Sequence, residues 1–463
     1  MSACSYLTAV AASDAVPITP LNQNELDSWL QAEEGSVRRW VEAVGFTAKP
    51  GTICLIPDSG GALDRVLVGR DDENGIWTWA ALPAQLPERQ YRLENTANKE
   101  AVDPDAAALG WALGTYRFGR YRSYQSKFAR LAWPEGSDRA AVERAADATF
   151  LVRDLINTPA ADMGPEELAS AAFSLSAKHG AHASVIVGDN LLSENYPAIH
   201  AVGRASDREP RLIDMVWGEA HHPKVTLVGK GVCFDSGGLN LKTTAGMKLM
   251  KKDMGGAANI LGLAHMVMTA ELPVRLRVLI PAVENSVSGN AMRPLDVVPT
   301  RDGLTVEIGN TDAEGRVILA DALSEGASEK PELLIDFATL TGAARVALGV
   351  ELPALFTNDD ALAASLQALG QAESDPLWRL PLWPPYRRHV ESKVADLTNA
   401  PETGFAGAIT AALFLEAFTS TAASWAHVDL MAWNTEPRPG RPKGGEAMAM
   451  RAAYAYIREK FVP

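Results

Sequence analysis

The stretch "TVEIGNTDAEGRVILADAL" (residues 305–323) passes from a strand-like run directly into a helix-like run. Other apolar strand-like runs, such as "KVTLVGKGVCF" (224–234) and "ELLIDFATL" (332–340), alternate with alanine-rich helical patterns. Continuously apolar strands are typical of sheets that helices cover on both faces. The pattern predicts an α/β fold in which a central mixed β-sheet is covered by helices.

The chain divides at "PEGSD" (134–138), which interrupts the pattern. Residues 1–138 alternate short strand-like runs, including "IWTWAAL" (76–82), with helical patterns, one of which opens at Pro104. They predict a small N-terminal α/β domain. Residues 139–156 predict a connecting helix, and residues 157–463 predict the larger domain with the central sheet.

Composition narrows the class of protein. The 463 residues include 43 basic and 57 acidic side chains, for a net charge of −14, which disfavours a broad surface for nucleic acid or anionic membrane. The three cysteines are far apart, so they predict neither a disulfide framework nor a thiolate zinc site. No basic residue precedes Arg38 and no apolar run approaches membrane-spanning length. We expect an unanchored protein in the reducing cytoplasm.

The junction in the opening stretch concentrates charge. Asp312 and Glu314 are two residues apart, so in extended backbone their side chains point the same way and can converge on one ligand. Helix capping is the alternative, since acids suit a helix N-terminus. Capping does not explain Arg316, whose charge opposes the helix dipole there and is better interpreted as half of an anion site.

A second charged cluster lies in "VTLVGKGVCFDSGGLNLK" (225–242) and "KKDMGGAANILGLA" (251–264). It contributes Lys230, Asp235, Lys242 and Asp253. Taken singly, each has an ordinary interpretation as a cap or a solvated charge. Together with Asp312 and Glu314, the acids could instead surround two divalent ions about 3.5–4 Å apart.

Other chemistries find little support. The chain lacks HExxH, GxSxG and GxxxxGK[ST] patterns. His427 in the apolar run "SWAHVDLMAW" is interpreted as a hydrogen-bonded core residue, and Cys233 as a small buried hydrophobe. A metal-dependent phosphoesterase stays a possible alternative, because paired metal ions also serve phosphoryl transfer.

Several blocks resemble the leucyl aminopeptidase (cytosol aminopeptidase) family. They are "NTDAEGR" (310–316), "VGKGVCFDSGGLNLK" (228–242), "MKKDMGGAA" (250–258), "ENSVSGNAMRPLDV" (284–297) and "FATLTGAARVALG" (337–349). The resemblance is specific over about 157–435 and looser before residue 138. It implies a metal-dependent exopeptidase whose catalytic domain is residues 157–463, with an assembly or regulatory role for residues 1–138.

The resemblance also implies roles for single residues. One divalent ion is held by Asp235, Asp312 and Glu314. The other is held by Lys230, Asp235, Asp253 and Glu314, with Lys230 as a neutral amine. The ions are manganese or zinc, with magnesium possible. Lys242 stabilises the developing oxyanion, and Arg316 holds a bicarbonate that acts as general base.

The implied substrates are short peptides with a free N-terminus, cleaved after a leucine-like or broader first residue. Leu340 and Gly342 bind the substrate main chain, and Met250 and Thr339 line the pocket for the first side chain. Near the C-terminus "PKGGEAMAMRAAYAYI" (442–457) departs from the family pattern, which leaves the far wall of that pocket undefined. The family also implies a homohexamer built as a dimer of trimers.

One segment suggests an alternative role. "TYRFGRYRSYQSKFAR" (115–130) interleaves five basic residues with aromatic ones, a composition that can bind a nucleic-acid backbone and stack bases. The ordinary interpretation is that its aromatic rings pack inward while its charges are solvated. DNA binding is therefore an additional role that the sequence makes unlikely but does not exclude.

Overall fold

The structure is a computed structural model that describes residues 2–9, 14–71, 75–94, 102–124 and 127–462. Contacts divide the chain into two compact units. The first comprises residues 1–150 and 436–443, and the second comprises residues 151–435 and 444–463. The division falls within one long helix, α5, whose bounds match the predicted connecting helix to within a residue. The finer domain limits at 138 and 156 stay predictions.

The first unit is built on a six-stranded sheet. Its strands are β1 Leu7–Thr8, β2 Val16–Leu21, β3 Ile53–Pro57, β4 Leu63–Gly69, β5 Gln90–Leu93 and β6 Arg130–Ala132. The sheet order is β1-β6-β5-β2-β4-β3, and only the β3–β4 pair among these strands is antiparallel. The helices are α1 Gln23–Ala32, α2 Gly35–Val44, α3 Leu82–Gln85, α4 Pro104–Gly114 and α5 Arg139–Asn157, with a 3-10 turn at Ile76–Thr78.

The strand predicted over "IWTWAAL" is wrong. These residues form the 3-10 turn and lead into α3, and they pack against α4. The approach is close, since a Cβ on Gly110 would lie 2.0 Å from the carbonyl oxygen of Ile76 and one on Gly114 would lie 2.1 Å from that of Ala80. The apolar run is therefore buried against a helix, which apolar character alone does not distinguish from pairing in a sheet.

The second unit contains the larger sheet and most of the helices. Its strands are β7 His182–Val187, β8 Arg211–Trp217, β9 Lys224–Gly229, β10 Gly231–Asp235, β11 Arg275–Asn285, β12 Val297–Pro299, β13 Thr305–Glu307, β14 Leu333–Ala338, β15 Ala354–Thr357, β16 Trp378–Arg379, β17 Leu397–Thr398, β18 Trp425–Asp429, β19 Trp433–Asn434 and β20 Gly444–Gly445. Its helices are α6 Pro165–His179, α7 Asn190–Ser193, α8 Pro197–Gly203, α9 Thr244–Met247, α10 Gly255–Thr269, α11 Glu314–Ser328, α12 Gly342–Leu348, α13 Asp360–Ala372, α14 Gly407–Glu416 and α15 Met450–Phe461. Short 3-10 turns lie at Ala160–Asp162, Met250–Met254 and Pro384–His389.

The large sheet is mixed, as predicted. Its order is β16-β15-β18-β14-β9-β11-β8-β7, with β10 paired to β11. The central strands β18, β14, β9 and β11 are parallel to one another. Strand β8 is antiparallel to both of its neighbours, β11 and β7, and β15 is antiparallel to β18. The carboxyl ends of the parallel strands therefore meet at one edge, where α/β proteins commonly bind ligands.

Two largely buried helices pack on the central strands. Helix α10 contacts β9 and β14 and is covered by α6 and α15, while α11 contacts β9 and β11 and is covered by α8 and α14. The predicted α/β class, with a small N-terminal domain and a larger domain whose mixed sheet is covered by helices, is confirmed. No helix in the described part of the chain is both long enough and apolar enough to cross a membrane.

The run "KVTLVGKGVCF" was predicted as one strand but is interrupted at Lys230. Strand β9 ends at Gly229 and β10 begins at Gly231. A Cβ on Gly229 would lie 2.6 Å from the Cα of Ala257, and one on Gly231 would lie 2.7 Å from the carbonyl oxygen of Pro281. Both glycines thus permit close approach of neighbouring backbone at the point where the lysine projects.

Candidate metal centre

The predicted ligands converge at the carboxyl edge of the large sheet. Lys230 lies between β9 and β10, Asp235 ends β10, and Glu314 is the first residue of α11. Asp253 lies in the 3-10 turn before α10, and Asp312 lies two residues before α11. The strand before Asp312, β13, belongs to a separate three-stranded sheet with β12 and β17, so this acid reaches the centre from outside the main sheet.

Lys230 occupies the inner part of the cluster. Its Nζ lies 2.6 Å from Asp253 Oδ2 and 3.0 Å from Glu314 Oε1, and it donates a hydrogen bond to the Thr339 carbonyl oxygen at 3.2 Å. The Lys230 and Glu314 side chains are almost completely buried. A solvated surface lysine, the ordinary interpretation, is therefore wrong at this position.

Lys242 neutralises the outer part of the cluster. Its Nζ lies 2.8 Å from Asp235 Oδ2 and is also paired with Asp312 Oδ1. Asn285 donates from Nδ2 to Asp235 Oδ1 at 2.8 Å, which fixes the orientation of that carboxylate. Lys242 is largely buried, so it too is an internal ion-pair partner and not a solvated charge.

The cluster carries more negative than positive charge. Its four carboxylates face three lysines, including Lys252, whose Nζ lies 3.7 Å from Asp253 Oδ1, and carboxylate oxygens of Asp235, Asp312 and Glu314 lie within 4.8 Å of one another. Among the described residues, Asp253 Oδ2, Glu314 Oε1 and Asp312 Oδ1 have only lysine ammonium groups as partners, and the buried Glu314 Oε2 has no hydrogen-bond partner. Buried carboxylate oxygens are costly unless they are paired or coordinate a metal. The arrangement fits a centre for divalent cations.

Burial and the excess of negative charge shift the pKa values of the side chains in this cluster. Burial raises the pKa of both Asp235 and Glu314, and the neighbouring carboxylates add to the increase. Burial alone would lower the pKa of Lys230, but Asp253 and Glu314 outweigh it and raise that pKa. Cations in the cluster would favour the ionised carboxylates and the neutral lysine amine.

Helix capping does not account for Asp312 and Glu314. The N-cap residue of α11 is Ala313, and no side chain forms a cap hydrogen bond there. Arg316, on the first turn, is buried and donates from Nη1 to the Asn399 carbonyl oxygen at 2.6 Å. Its Nε has no hydrogen-bond partner among the described residues. Burial lowers the pKa of Arg316 to about 10, so it stays a cation at neutral pH and can bind an anion.

The segment after β14 lies beside the centre. Thr339 Oγ1 donates to Asp253 Oδ1 at 2.8 Å, so its hydroxyl orients a predicted ligand. The Asp429 carboxylate accepts hydrogen bonds from Leu340 N at 3.0 Å and from Thr341 N and Oγ1 at 3.1 and 2.6 Å. Leu340 and Met250 are partly exposed and Gly342 is exposed. The segment is held on both sides while its outer surface stays accessible.

Sequence reasoning missed the residues that fix these loops. Asn399 Oδ1 accepts from Gly309 N at 2.8 Å, and its Nδ2 donates to the carbonyl oxygens of Asn310 and Ala313. Thr311 Oγ1 donates to the Gly237 carbonyl oxygen at 2.6 Å, which joins the two charged loops. The only sequence signal for Asp429 is a charged residue at the end of an apolar strand. Asn399 is distant in sequence and carries no such signal.

Two predictions outside the centre are confirmed. His427 is fully buried in β18, and its Nδ1 lies 2.6 Å from Asp336 Oδ1, so it is a hydrogen-bonded core residue. Cys233 is buried in β10, and burial raises its pKa well above the usual value for a thiol.

The basic and aromatic segment 115–130 is described except for residues 125 and 126, which lie outside the described residues. Arg117 lies over the rings of Tyr124 and Phe128 with its Cζ 5.2 and 4.1 Å from their centroids, and Arg120 lies over Tyr121 at 5.8 Å. Tyr121 and Tyr124 are exposed, while Tyr116 and Phe128 are buried. Its role in DNA binding stays a prediction.

Family models match both parts of the chain. The model for the catalytic domain of the cytosol aminopeptidase family matches residues 150–454. The model for the N-terminal domain of the M17 aminopeptidases matches residues 16–134.

Individual proteins are similar over most of their length. A probable cytosol aminopeptidase of Roseiflexus castenholzii is 41% identical over 383 residues, which cover 78% of each chain. The crystal structure of a cytosol aminopeptidase from Coxiella burnetii has a TM-score of 0.94 and 50% identity, covering 99% of both chains. The bottromycin maturation enzyme BotP in complex with Mn has a TM-score of 0.86 and 35% identity, covering 97% of this chain and all of that one.

Gly315 offers a test of the centre that leaves every charged side chain in place. A Cβ at this position would lie 2.5 Å from Lys230 Cε and 2.7 Å from Nζ. Because that Nζ is held by two carboxylates and a carbonyl oxygen, Gly315→Ala must displace it. We expect the affinity for Mn²⁺, measured by titration calorimetry, to fall roughly 10- to 100-fold, as when a supporting partner of a metal site is lost.

The matched control is Gly289→Ala, because no atom lies within 4 Å of the added Cβ there. This variant should bind Mn²⁺ as the unaltered protein does, and circular dichroism should show both variants folded. Unchanged Mn²⁺ affinity in folded Gly315→Ala would separate Lys230 from the ion site and contradict the prediction.

Proposed function

The chain belongs to the cytosol aminopeptidase family and is an aminopeptidase, and we propose that it removes the first residue of short peptides with the aid of two divalent ions. The observation that carries the proposal is the excess of buried carboxylate oxygens at the candidate centre. Three of these oxygens have lysine ammonium groups as their only partners among the described residues, and the buried Glu314 Oε2 has no hydrogen-bond partner there, although buried carboxylates require compensating positive charge.

The ligand set fits two ions that share ligands. Asp235, Asp312 and Glu314 would hold one, and Lys230, Asp253 and the shared Asp235 and Glu314 would hold the other. Oxygen donors suit manganese and magnesium, and the single amine is also accepted by zinc, so manganese or zinc is expected and magnesium is possible. Bound ions supply Lewis-acid polarisation of the peptide carbonyl and a lowered pKa of water.

The protein's own groups orient the reaction around that chemistry. The Lys242 ammonium, at the outer side of the cluster, would stabilise negative charge that develops on the carbonyl oxygen. Arg316 would hold a bicarbonate, whose oxygens suit the unpartnered Nε, and this anion would accept a proton as general base. The backbones of Leu340 and Gly342 would hold the substrate main chain, on the segment that Asp429 fixes.

Substrate choice depends on the first side chain and on a free N-terminus. Met250 and Thr339 would line the pocket for a leucine-like or broader range of side chains, and the departure from the family pattern at residues 442–457 leaves the far wall of that pocket undefined. The free α-amine, in its neutral form, would be a ligand of the ion on the Lys230 side of the centre. This contact would restrict cleavage to the first residue. All three cysteines are buried free thiols, which suits a cytoplasmic location.

Removal of one ligand tests the metal-dependent reaction. In Asp312→Ala one ion would lose a ligand, and we expect hydrolysis of leucine p-nitroanilide in Mn²⁺ or Zn²⁺ to fall about 10³-fold, as when a group that stabilises transition-state charge is removed. The control Asp302→Ala removes an exposed acid in the nearby loop and should retain activity. Full activity of the native protein after exhaustive chelation, with metal content checked by mass spectrometry, would refute the proposal.

The bicarbonate role of Arg316 is tested by adding back the anion. In degassed buffer the native enzyme should lose activity and recover it with added bicarbonate. Arg316→Ala should be slower by about 10²-fold, the scale of general-base catalysis, and should show no recovery. If Arg316→Ala responds to bicarbonate as the native enzyme does, the anion binds elsewhere.

The assembly is proposed to be a homohexamer built as a dimer of trimers. Large apolar side chains are exposed on the second unit, among them those of Leu295, Val346, Val394 and Phe405, and such surfaces commonly mark contacts with other chains. Light scattering should therefore give a mass near six times the 49.5 kDa of one chain. A monomer mass at micromolar concentration would contradict the assembly.

A further inference from the structure

Arg345 is a cation without a partner at the edge of the candidate centre. It lies on α12, one turn after the segment that carries Leu340 and Gly342. Its Nη1 is buried and lacks a hydrogen-bond partner, and its guanidinium forms no ion pair within the described part of the chain. A buried charged donor without an acceptor is unfavourable, so a guanidinium held in this way is poised for an anionic ligand.

The position of Arg345 relates it to the substrate path. Its Nη2 lies 3.7 Å from the site of a Cβ on Gly342, which is exposed. Arg345 thus lies beside the exposed glycine that ends this segment.

Hydrogen bonds hold the first residues of α12 in place, so the backbone that carries the Arg345 guanidinium has a defined position. Thr341 caps the helix by accepting from Ala344 N at 3.0 Å, and its own N–H and hydroxyl are held by Asp429. Arg345 lies four residues after this cap, directly after Ala344. A charged side chain on a fixed helical turn loses less conformational freedom on binding than one on a mobile loop.

We infer that Arg345 binds the terminal carboxylate of a dipeptide substrate. The inference rests on the proposed function, in which the substrate main chain runs along Leu340 to Gly342 from its α-amine at the metal ions. An extended dipeptide spans only about 7 Å, so its carboxylate follows the cleaved bond by one residue and reaches the Gly342 end of the segment. The planar guanidinium matches a carboxylate in two parallel hydrogen bonds. The enzyme accordingly prefers dipeptides to peptides whose second residue is amidated or extended.

The test compares Leu-Gly with Leu-Gly amide, which differ only in the terminal charge. The native enzyme should favour Leu-Gly by about 10-fold or more in kcat/KM, within the range of a hydrogen bond to a charged group. Arg345→Gln should remove most of that preference, chiefly through a higher KM for Leu-Gly, and Arg345→Lys should restore part of it. Raising the salt concentration should reduce the native preference.

The matched control is Arg458→Gln, which removes one positive charge from the exposed part of α15 and should keep the native preference. An equal fall in kcat/KM for both substrates in Arg345→Gln would mean a structural role and overturn the inference, and so would an unchanged preference. If the native enzyme hydrolyses neither substrate, the proposed function itself fails. Hydrolysis of both at equal rates by the native enzyme overturns the role of Arg345 alone.

Discussion

The structure of the second unit depends on one electrostatic constraint, the burial of four carboxylates against three ammonium groups at the edge of the sheet. Lys230 lies between Asp253 and Glu314, Lys242 lies between the other two acids, and Lys252 Nζ lies 3.7 Å from Asp253 Oδ1. These ion pairs leave Glu314 Oε2 without a hydrogen-bond donor among the described residues, so the cluster is incomplete as a set of ion pairs. A centre of this kind is stable when further positive charge enters it, which makes cation binding part of the folded state.

Backbone geometry makes this concentration of charge possible. The sheet is interrupted at Lys230, and α10 packs so closely that a Cβ on Gly256 would lie 2.1 Å from the carbonyl oxygen of Phe337. The same absence of side-chain volume at Gly315 leaves space for the Lys230 amine. Glycines at these positions therefore serve close approach, and in each case they bring backbone or a charged group to the place where the strands end.

The sequence predicted the architecture and the proximity of the charged residues better than it predicted the local geometry. The alternation of apolar runs and charged loops was enough to predict the mixed sheet and its helices. The position of the acids at the ends of predicted strands was enough to predict that their side chains could converge. The interruption of the strand at Lys230 was not predictable from hydrophobicity, because the residues that form β9 and those that form β10 are both apolar. Asn399 and Asp429 were missed for another reason, since each acts through backbone atoms of a segment that is distant in sequence. Such contacts leave no local pattern.

Burial of a charge does not by itself mark a functional site, and the pair of Asp336 and His427 shows why. Both side chains are completely buried, yet Asp336 accepts from His427 Nδ1 and from Trp425 Nε1 at 2.8 Å, so each of its oxygens has a donor. Glu314 is almost equally buried; Lys230 Nζ lies 3.0 Å from its Oε1, whereas its Oε2 has no hydrogen-bond donor among the described residues. The difference lies in unsatisfied bonding capacity, since a completed network stabilises the core whereas an incomplete one retains the capacity to bind. By this criterion the centre around Glu314 is built for a ligand and the Asp336–His427 pair is built for the fold.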